Sequence, residues 1–245
     1  MTTKEAPEGR TVTKERKEEH LLITKTNRLA QAGSNLTVIE AKVLEYCFAN
    51  IFKDDTISAH DVFEVDVEAM ATYFDLQRGH AYRELKIVFQ ALMDKKLKIA
   101  FGDTKIISSW LSAIRYNDAK GILQIQLSPI VCDHVSVRLL KTEYFTQYHL
   151  KEVAGLKYKF SNTLFNYIKS YSFKEGKTRI EISLENLREL FLLDENEMPL
   201  YGDLKRHLVK SLEELQGKTK LAIELKERKT GRKVTSIVFM VEQTS

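Results

Sequence analysis

Apolar residues recur at three- and four-residue steps along PLYGDLKRHLVKSLEELQ, residues 199–216: Leu200, Leu204, Leu208, Leu212 and Leu215. That spacing predicts a helix with one buried stripe. Tyr201, Lys205, Arg206 and Lys210 fall off the stripe, toward water. The following stretch, residues 221–241, alternates apolar and polar positions on both sides of Thr230-Gly231 and predicts a β-hairpin. Five cations, Lys226, Arg228, Lys229, Arg232 and Lys233, crowd its tip. A helix with a basic polar side followed by a basic hairpin predicts a winged helix-turn-helix. In that arrangement the helix enters a major groove and the wing grips phosphate or minor groove.

The same patterning gives the rest of the chain. Residues 1–20 hold few apolar side chains and predict a flexible tail. Residues 21–32 have short β character and end at Gly33-Ser34-Asn35. Residues 36–52 predict an amphipathic helix with Leu36, Ile39, Val43, Tyr46, Cys47 and Ile51 inward, and Thr37 as N-cap with Glu40 three positions on. A strand at 62–65, a helix capped by Asp66 and a turn at 77–80 lead into a helix at 80–95. Three alternating runs follow, 97–101, 106–116 and 122–127, separated by Gly102-Asp103 and Asn117-Asp118. Residues 131–141 read as a link, 148–156 as a short helical segment and 158–171 as an amphipathic helix. A strand at 178–182 and a helix capped by Ser183 then precede the 199–216 helix.

The two halves repeat each other. Phe63 to Leu76 (FEVDVEAMATYFDL) aligns with Ile180 to Leu193 (IEISLENLRELFLL): Val65 falls on Ile182, Asp66 on Ser183, Met70 on Leu187 and Phe74 on Phe191. With a two-residue insertion, Leu85-Lys86 meets Leu204-Lys205. Caps, apolar positions and turns agree together, as a duplicated fold requires. The expectation is an α+β chain of two tandem winged-helix domains related by internal duplication, with residues 1–20 a tail, 21–137 the first domain and 138–245 the second.

Charge adds an asymmetry. The net charge is +4, and residues 141–245 hold 19 Lys+Arg against 15 Asp+Glu, whereas residues 1–140 hold 19 of each. The second half therefore points to a polyanion partner, with a merely solvated basic surface as the alternative. Cys47 and Cys132 are the only cysteines and give neither a disulfide framework nor a metal cluster. No apolar run spans a membrane and no secretory leader opens the chain, so a cytoplasmic location is expected. Walker, GxSxG and HExxH signatures are absent, and the six histidines stand apart. The expectation is a protein without catalysis, metal or cofactor.

Four groups are candidates for DNA contact. Tyr201, Lys205, Arg206 and Lys210 lie on the second recognition helix, with Arg206 suited to bidentate bonding to guanine. Lys226, Arg228, Lys229, Arg232 and Lys233 on the wing suit phosphate. Arg78, His80, Tyr82, Arg83 and Lys86 are the first-domain counterparts, diluted by Asp75 and Glu84. Lys157 and Lys159, either side of Tyr158, start the 158–171 helix beside the DNA backbone. For the first three groups a solvated surface is the alternative, and for the last it is a Tyr158 that simply packs.

These stretches resemble a known family. Leu36-Thr37, Glu40 and Lys42-Val43, then Tyr144-Phe145 and Tyr148-His149-Leu150, then KYKFSNTLFNYIKSY at 157–171, then Ile182, Leu187 and Leu190-Phe191, then Tyr201-Gly202-Asp203-Leu204-Lys205-Arg206 are similar, in order and spacing, to initiator replication proteins of iteron-type theta-replicating plasmids. The resemblance covers residues 20–241. It implies two winged helices that bind repeated origin sequences (iterons) on double-stranded DNA as monomers, with the C-terminal domain making the main contact. It also implies an N-terminal domain that dimerises and adds DNA contacts, origin opening by monomers, autorepression by dimers, and host initiator and replicative helicase proteins as partners. Two alternatives stand beside it: a transcriptional repressor without a replication role, and a winged-helix protein-interaction module.

Overall fold

The computed structural model describes residues 11–12, 21–51, 56–74, 76, 79–136, 140–171 and 177–243. The first half runs β1 (Thr11–Val12), β2 (Leu22–Thr26), α1 (Asn27–Ala30), β3 (Gly33–Ser34), α2 (Val38–Ala49), β4 (Val62–Glu64), α3 (Val67–Tyr73), α4 (Ala81–Asp94), β5 (Lys96–Phe101), β6 (Thr104–Ser109), β7 (Leu111–Asn117) and β8 (Ile122–Leu127). There follow α5 (Pro129–Val135), β9 (Phe145–His149), α6 (Lys151–Ala154), α7 (Ser161–Lys169), β10 (Thr178–Ser183), α8 (Leu184–Leu190), α9 (Tyr201–Lys218), β11 (Leu221–Thr230) and β12 (Lys233–Gln243). Most of the expected 1–20 tail lies outside the described residues; Thr11 and Val12 pair in parallel with Val62 and Phe63.

One unit occurs twice. In the second, β10, α8, α9 and the hairpin β11–β12 build a sheet of order β10-β12-β11. In the first, β4, α3, α4 and the hairpin β7–β8 build the order β4-β8-β7, with β1 added at its edge. The caps match as well. Asp66 accepts from the Ala69 N–H at 2.8 Å and Ser183 from the Asn186 N–H at 3.1 Å, each meeting a donor the helix start leaves open. Helix α2 packs on α4 as α7 packs on α9. These are two tandem winged-helix domains in an α+β chain.

The first unit carries an addition, the hairpin β5–β6, which pairs with β3 in a sheet of its own. The alternating run at 106–116 is therefore two strands, not one. The chain bends at Trp110 and passes from β6 in one sheet to β7 in another. Trp110 is buried, its ring centroid 6.5 Å from that of Phe48, so the apolar alternation continues across the crossing and hides it.

The two halves are joined through a polar centre. β2 pairs antiparallel with β9, from Leu22 opposite His149 to Thr26 opposite Phe145. Tyr148 and His149 are thus extended rather than helical, and the helical segment shrinks to α6. Thr146 and Tyr148 point inward from β9 and face the first half. Lys25 on β2 donates to Glu45 on α2 at 3.0 Å, with both side chains about 95% buried. The Tyr148 hydroxyl donates to Glu45 at 2.7 Å, and Asn166 of α7 donates to it at 3.0 Å. Burial pushes the Lys25 ammonium down, and the Glu45 carboxylate pulls against that shift. Residue 137, the expected boundary, lies outside the described residues; beyond it, β9 and α7 pack back on the first half. The same crowding corrects the reading of α2 as one-sided: Leu44, Phe48, Glu40 and Glu45 are buried together with Val43 and Cys47. Burial raises the Cys47 thiol to about 12, which leaves it a core side chain. Residues 131–135, expected as a link, form most of α5 under the Ser128 cap.

Two further contacts set where α9 stands. Glu189 of α8 receives Lys98 at 3.1 Å and Lys105 at 2.7 Å from the added hairpin. Beside it, a Cβ on Gly33 would lie 2.5 Å from the Glu189 carbonyl oxygen, so β3 approaches α8 only because Gly33 has no side chain. Glu214 of α9 accepts the backbone N–H groups of Lys157 at 2.7 Å and Tyr158 at 2.9 Å and pairs with Lys218 at 2.8 Å. Burial alone works to raise the Glu214 carboxyl. Lys218 and the two N–H groups outweigh it and hold the carboxyl at about 2.

Gly33→Ala is expected to lower stability by about 1–3 kcal/mol, as overpacking does, and to lower the thermal midpoint. An unchanged midpoint would mean the two domains do not rest on each other at Gly33. For Glu214, a folded pKa near 2 against an ordinary 4.5 gives a contribution fully present above about pH 4.5 and lost as pH falls toward 2. Glu214→Gln should therefore melt lower than wild type at neutral pH, and the gap should close between those two pH values. A gap that stays constant with pH would contradict the assignment.

Candidate nucleic-acid interface

Helix α9 is positioned by the turn before it. Leu192 and Met198 adopt φ values of 46° and 50°, left-handed conformations that bulky residues seldom take. Arg188 holds that turn, donating to the carbonyls of Asp194 at 2.6 Å, Glu197 at 2.8 Å and Met198 at 2.9 Å. Leu204, Leu208, Leu212 and Leu215 of the expected stripe are buried. Leu200 is not: it is the extended residue ahead of the helix and is 68% exposed.

The outward residues of α9 divide. Tyr201, expected to face water, is half-buried, and its hydroxyl donates to Glu227 Oε1 on β11 at 2.8 Å. Lys205 meets the same oxygen at 2.8 Å, and Lys229 stands 3.8 Å from Oε2. Burial and then the bond to Glu227 push the Tyr201 phenol up, and Lys205 followed by Tyr201 holds the Glu227 carboxyl down. Arg206 is exposed and pairs with Asp203, one turn back. Lys210 is exposed, without a carboxylate partner among the described residues. His207 hydrogen-bonds the Tyr158 hydroxyl and stacks on its ring at 5.9 Å. Lys157 and Lys159 therefore flank a tyrosine that packs on α9. They stand in the turn ahead of α7 rather than in the helix, which begins at Ser161, and Glu214 accepts the backbone N–H groups of Lys157 and Tyr158.

The wing turns at Gly231, whose φ of 61° suits a residue without Cβ. Arg232 and Lys233 stand at its tip, exposed and without a carboxylate partner among the described residues. Side chains alternate along β11 as far as Arg228, so Lys226 and Arg228 lie on the face opposite Glu227; the register shifts between Arg228 and Lys229, and Lys229 stands beside Glu227. Opposite Glu227, Lys226 pairs with Glu224 at 3.3 Å and Arg228 with Glu181 at 3.3 Å. The five wing cations are thus two groups on two faces plus a tip.

In the first domain Arg78 lies outside the described residues. His80 is the residue before α4, exposed, with a ring nitrogen 3.4 Å from the exposed Arg83. Lys86 pairs with Asp118 at 2.9 Å and lies 3.8 Å from the centre of the Tyr116 ring. The Tyr82 hydroxyl donates to the same Asp118 at 2.9 Å. The arrangement in the second domain is therefore present in the first: a tyrosine and the lysine four positions on share one wing carboxylate. Sequence reasoning missed Asp118, Glu227 and Arg188. The signal lay in the alignment, which puts Tyr82 with Tyr201 as it puts Lys86 with Lys205. Among the described residues, no three His, Cys, Asp or Glu side chains gather to hold a metal, and no helix is long and apolar enough to cross a membrane.

Residues 22–169 match the family described as "Initiator Replication protein, WH1" and residues 183–241 match "Initiator Rep protein, WH2". The first match runs past residue 137 to the end of α7, as the packing does. Among solved structures the chain is similar to the Pi initiator protein in complex with iteron DNA, at 22% identity and a TM-score of 0.71, over 92% of this chain and 99% of that one. Lower-scoring likenesses include the WH1 domain of MSBI1.176, a replication protein isolated from a multiple sclerosis patient, at 23% identity and TM-score 0.36 over 44% of this chain and 84% of that one. Domains 2 and 3 of RctB follow at 12% identity and TM-score 0.46, over 87% of this chain and 86% of that one. With both domains matched in order, the chain belongs to the initiator replication protein family.

Proposed function

We propose that this protein initiates plasmid replication by binding iterons in the plasmid origin as monomers. The observation that carries the reading is the pairing, in one domain, of an exposed recognition helix bearing Arg206 and Lys210 with a wing tip bearing Arg232 and Lys233. Lys157 and Lys159 flank the helix from the other side. Arg206 reads a base edge, since its contact with Asp203 is exposed and opens at little cost. The tip cations and the flanking lysines grip phosphate. Binding of several adjacent monomers bends and destabilises an AT-rich duplex, so the protein acts by binding energy and not by catalysis. The structure of the Pi protein on iteron DNA supports this reading.

The first domain has a second role in this proposal. Its recognition helix exposes Ile87 and its wing exposes Tyr116, at 59% and 50%, while Asp118 takes up Lys86. That mixed surface suits a protein contact as well as an auxiliary DNA contact. It is the surface we assign to a homodimer in exchange with the monomer, the dimer repressing its own promoter. The host initiator and replicative helicase are the remaining partners, met in the cytoplasm.

A mobility shift on duplex from the region flanking the coding sequence tests the reading. Wild type should give a ladder of discrete complexes, and Arg206→Ala should weaken each step by about 1–3 kcal/mol. A single diffuse shift insensitive to Arg206→Ala would overturn sequence-specific binding. Affinity that hardly changes with salt would favour the protein-interaction reading, because phosphate contacts release counterions.

A further inference from the structure

Two carboxylates stand where a DNA-binding surface has least use for negative charge. Glu227 sits on the wing strand facing the recognition helix, and Asp118 sits at the tip of the first wing. Each receives a tyrosine hydroxyl and a lysine ammonium from the neighbouring helix: Tyr201 and Lys205 at 2.8 Å, Tyr82 and Lys86 at 2.9 Å. The duplication has kept the whole arrangement, although one acid is a glutamate in a strand and the other an aspartate in a turn. A solubilising charge would not need the same two partners in both places.

We propose that Glu227, with Asp118 as its first-domain counterpart, is a positioning residue that sets specificity; this rests on the DNA-binding reading above. Lysine is a flexible point charge that would otherwise follow any phosphate. Held on Glu227, the Lys205 ammonium has one position, and the ordering of its stem is complete before DNA arrives. To reach a phosphate it must leave Glu227, and the carboxylate, left with the Tyr201 hydroxyl and with Lys229 at 3.8 Å, then faces a polyanion. That penalty applies to every sequence. A duplex whose base edges accept the remaining ammonium protons in place does not incur it. The carboxylate therefore acts chiefly against the wrong DNA, which is how a repulsive element gives discrimination.

The test compares Glu227→Gln with wild type on duplex carrying the origin repeats and on random duplex of equal length, over a range of salt. Glutamine keeps an acceptor for Tyr201 and removes the charge. Glu227→Gln should bind random duplex about tenfold tighter, with the slope of log K against log salt steeper by about one, the signature of one freed ammonium. Affinity for the repeats should change less, so the specificity ratio falls. Glu224→Gln is the control, since it removes the same charge from the same strand on the opposite face and should leave the ratio unchanged. Asp118→Asn should move the ratio in the same direction as Glu227→Gln. Equal changes on both duplexes, or equal effects of Glu227→Gln and Glu224→Gln, would overturn the proposal. Wild type that does not distinguish the repeats from random duplex would instead sink the iteron reading itself, and this proposal with it.

Discussion

The buried pair of Lys25 and Glu45 is the constraint on which the arrangement of the two domains depends. Two charges out of water are tolerated only when each has its partner and the spare hydrogen-bonding positions are filled. Here the filling comes from far along the chain. Tyr148 reaches Glu45 from β9 and Asn166 reaches it from α7. Residues 145–169 are therefore needed by the first domain before they can serve the second. Because α7 also packs on α9, the helix that satisfies a buried charge on one side supports the recognition helix on the other.

From that centre the path to the candidate DNA-binding surface is short. Glu214 ties α9 to the turn that carries Lys157 and Lys159, and Tyr158 from the same turn stacks on His207. Arg188 fixes the approach to α9 through three carbonyls. The surface that results is not simply basic. Several of its cations are already engaged, and those left open are at the wing tip, on the outer side of α9 and in the flanking turn.

How much of this was legible in the sequence follows from the physics of each element. The duplicated unit was legible because caps and apolar spacing are local: Asp66 and Ser183 each bond a backbone N–H three residues on. The β2–β9 pairing was not, because Thr26 and Phe145 are opposite each other across nearly half the chain and FTQYH carries too weak an alternation to displace a helical reading. The two strands hidden in residues 106–116 were missed because Trp110 keeps the apolar pattern unbroken through a change of sheet. Within the site, the exposure of Lys205, Arg206 and Lys210 on α9 was legible and the partners of Lys205 and Arg206 were not. Exposure can be read from a helical stripe, whereas the bonds of Tyr201 and Lys205 to Glu227 exist only once the wing folds back beside the helix.

Trp110 has one more consequence. It is the only tryptophan in the chain, and it sits where the hairpin that touches α8 hands over to the first wing. Together with Lys25, Glu45 and Asn166 it lines one small cavity at the junction of the halves. Indole emission responds to the polarity and charge around the ring, so the molecule carries its own fluorophore at the joint between its two domains. A rearrangement that alters that cavity changes the surroundings of the ring and can be followed in unlabelled protein by its colour and intensity.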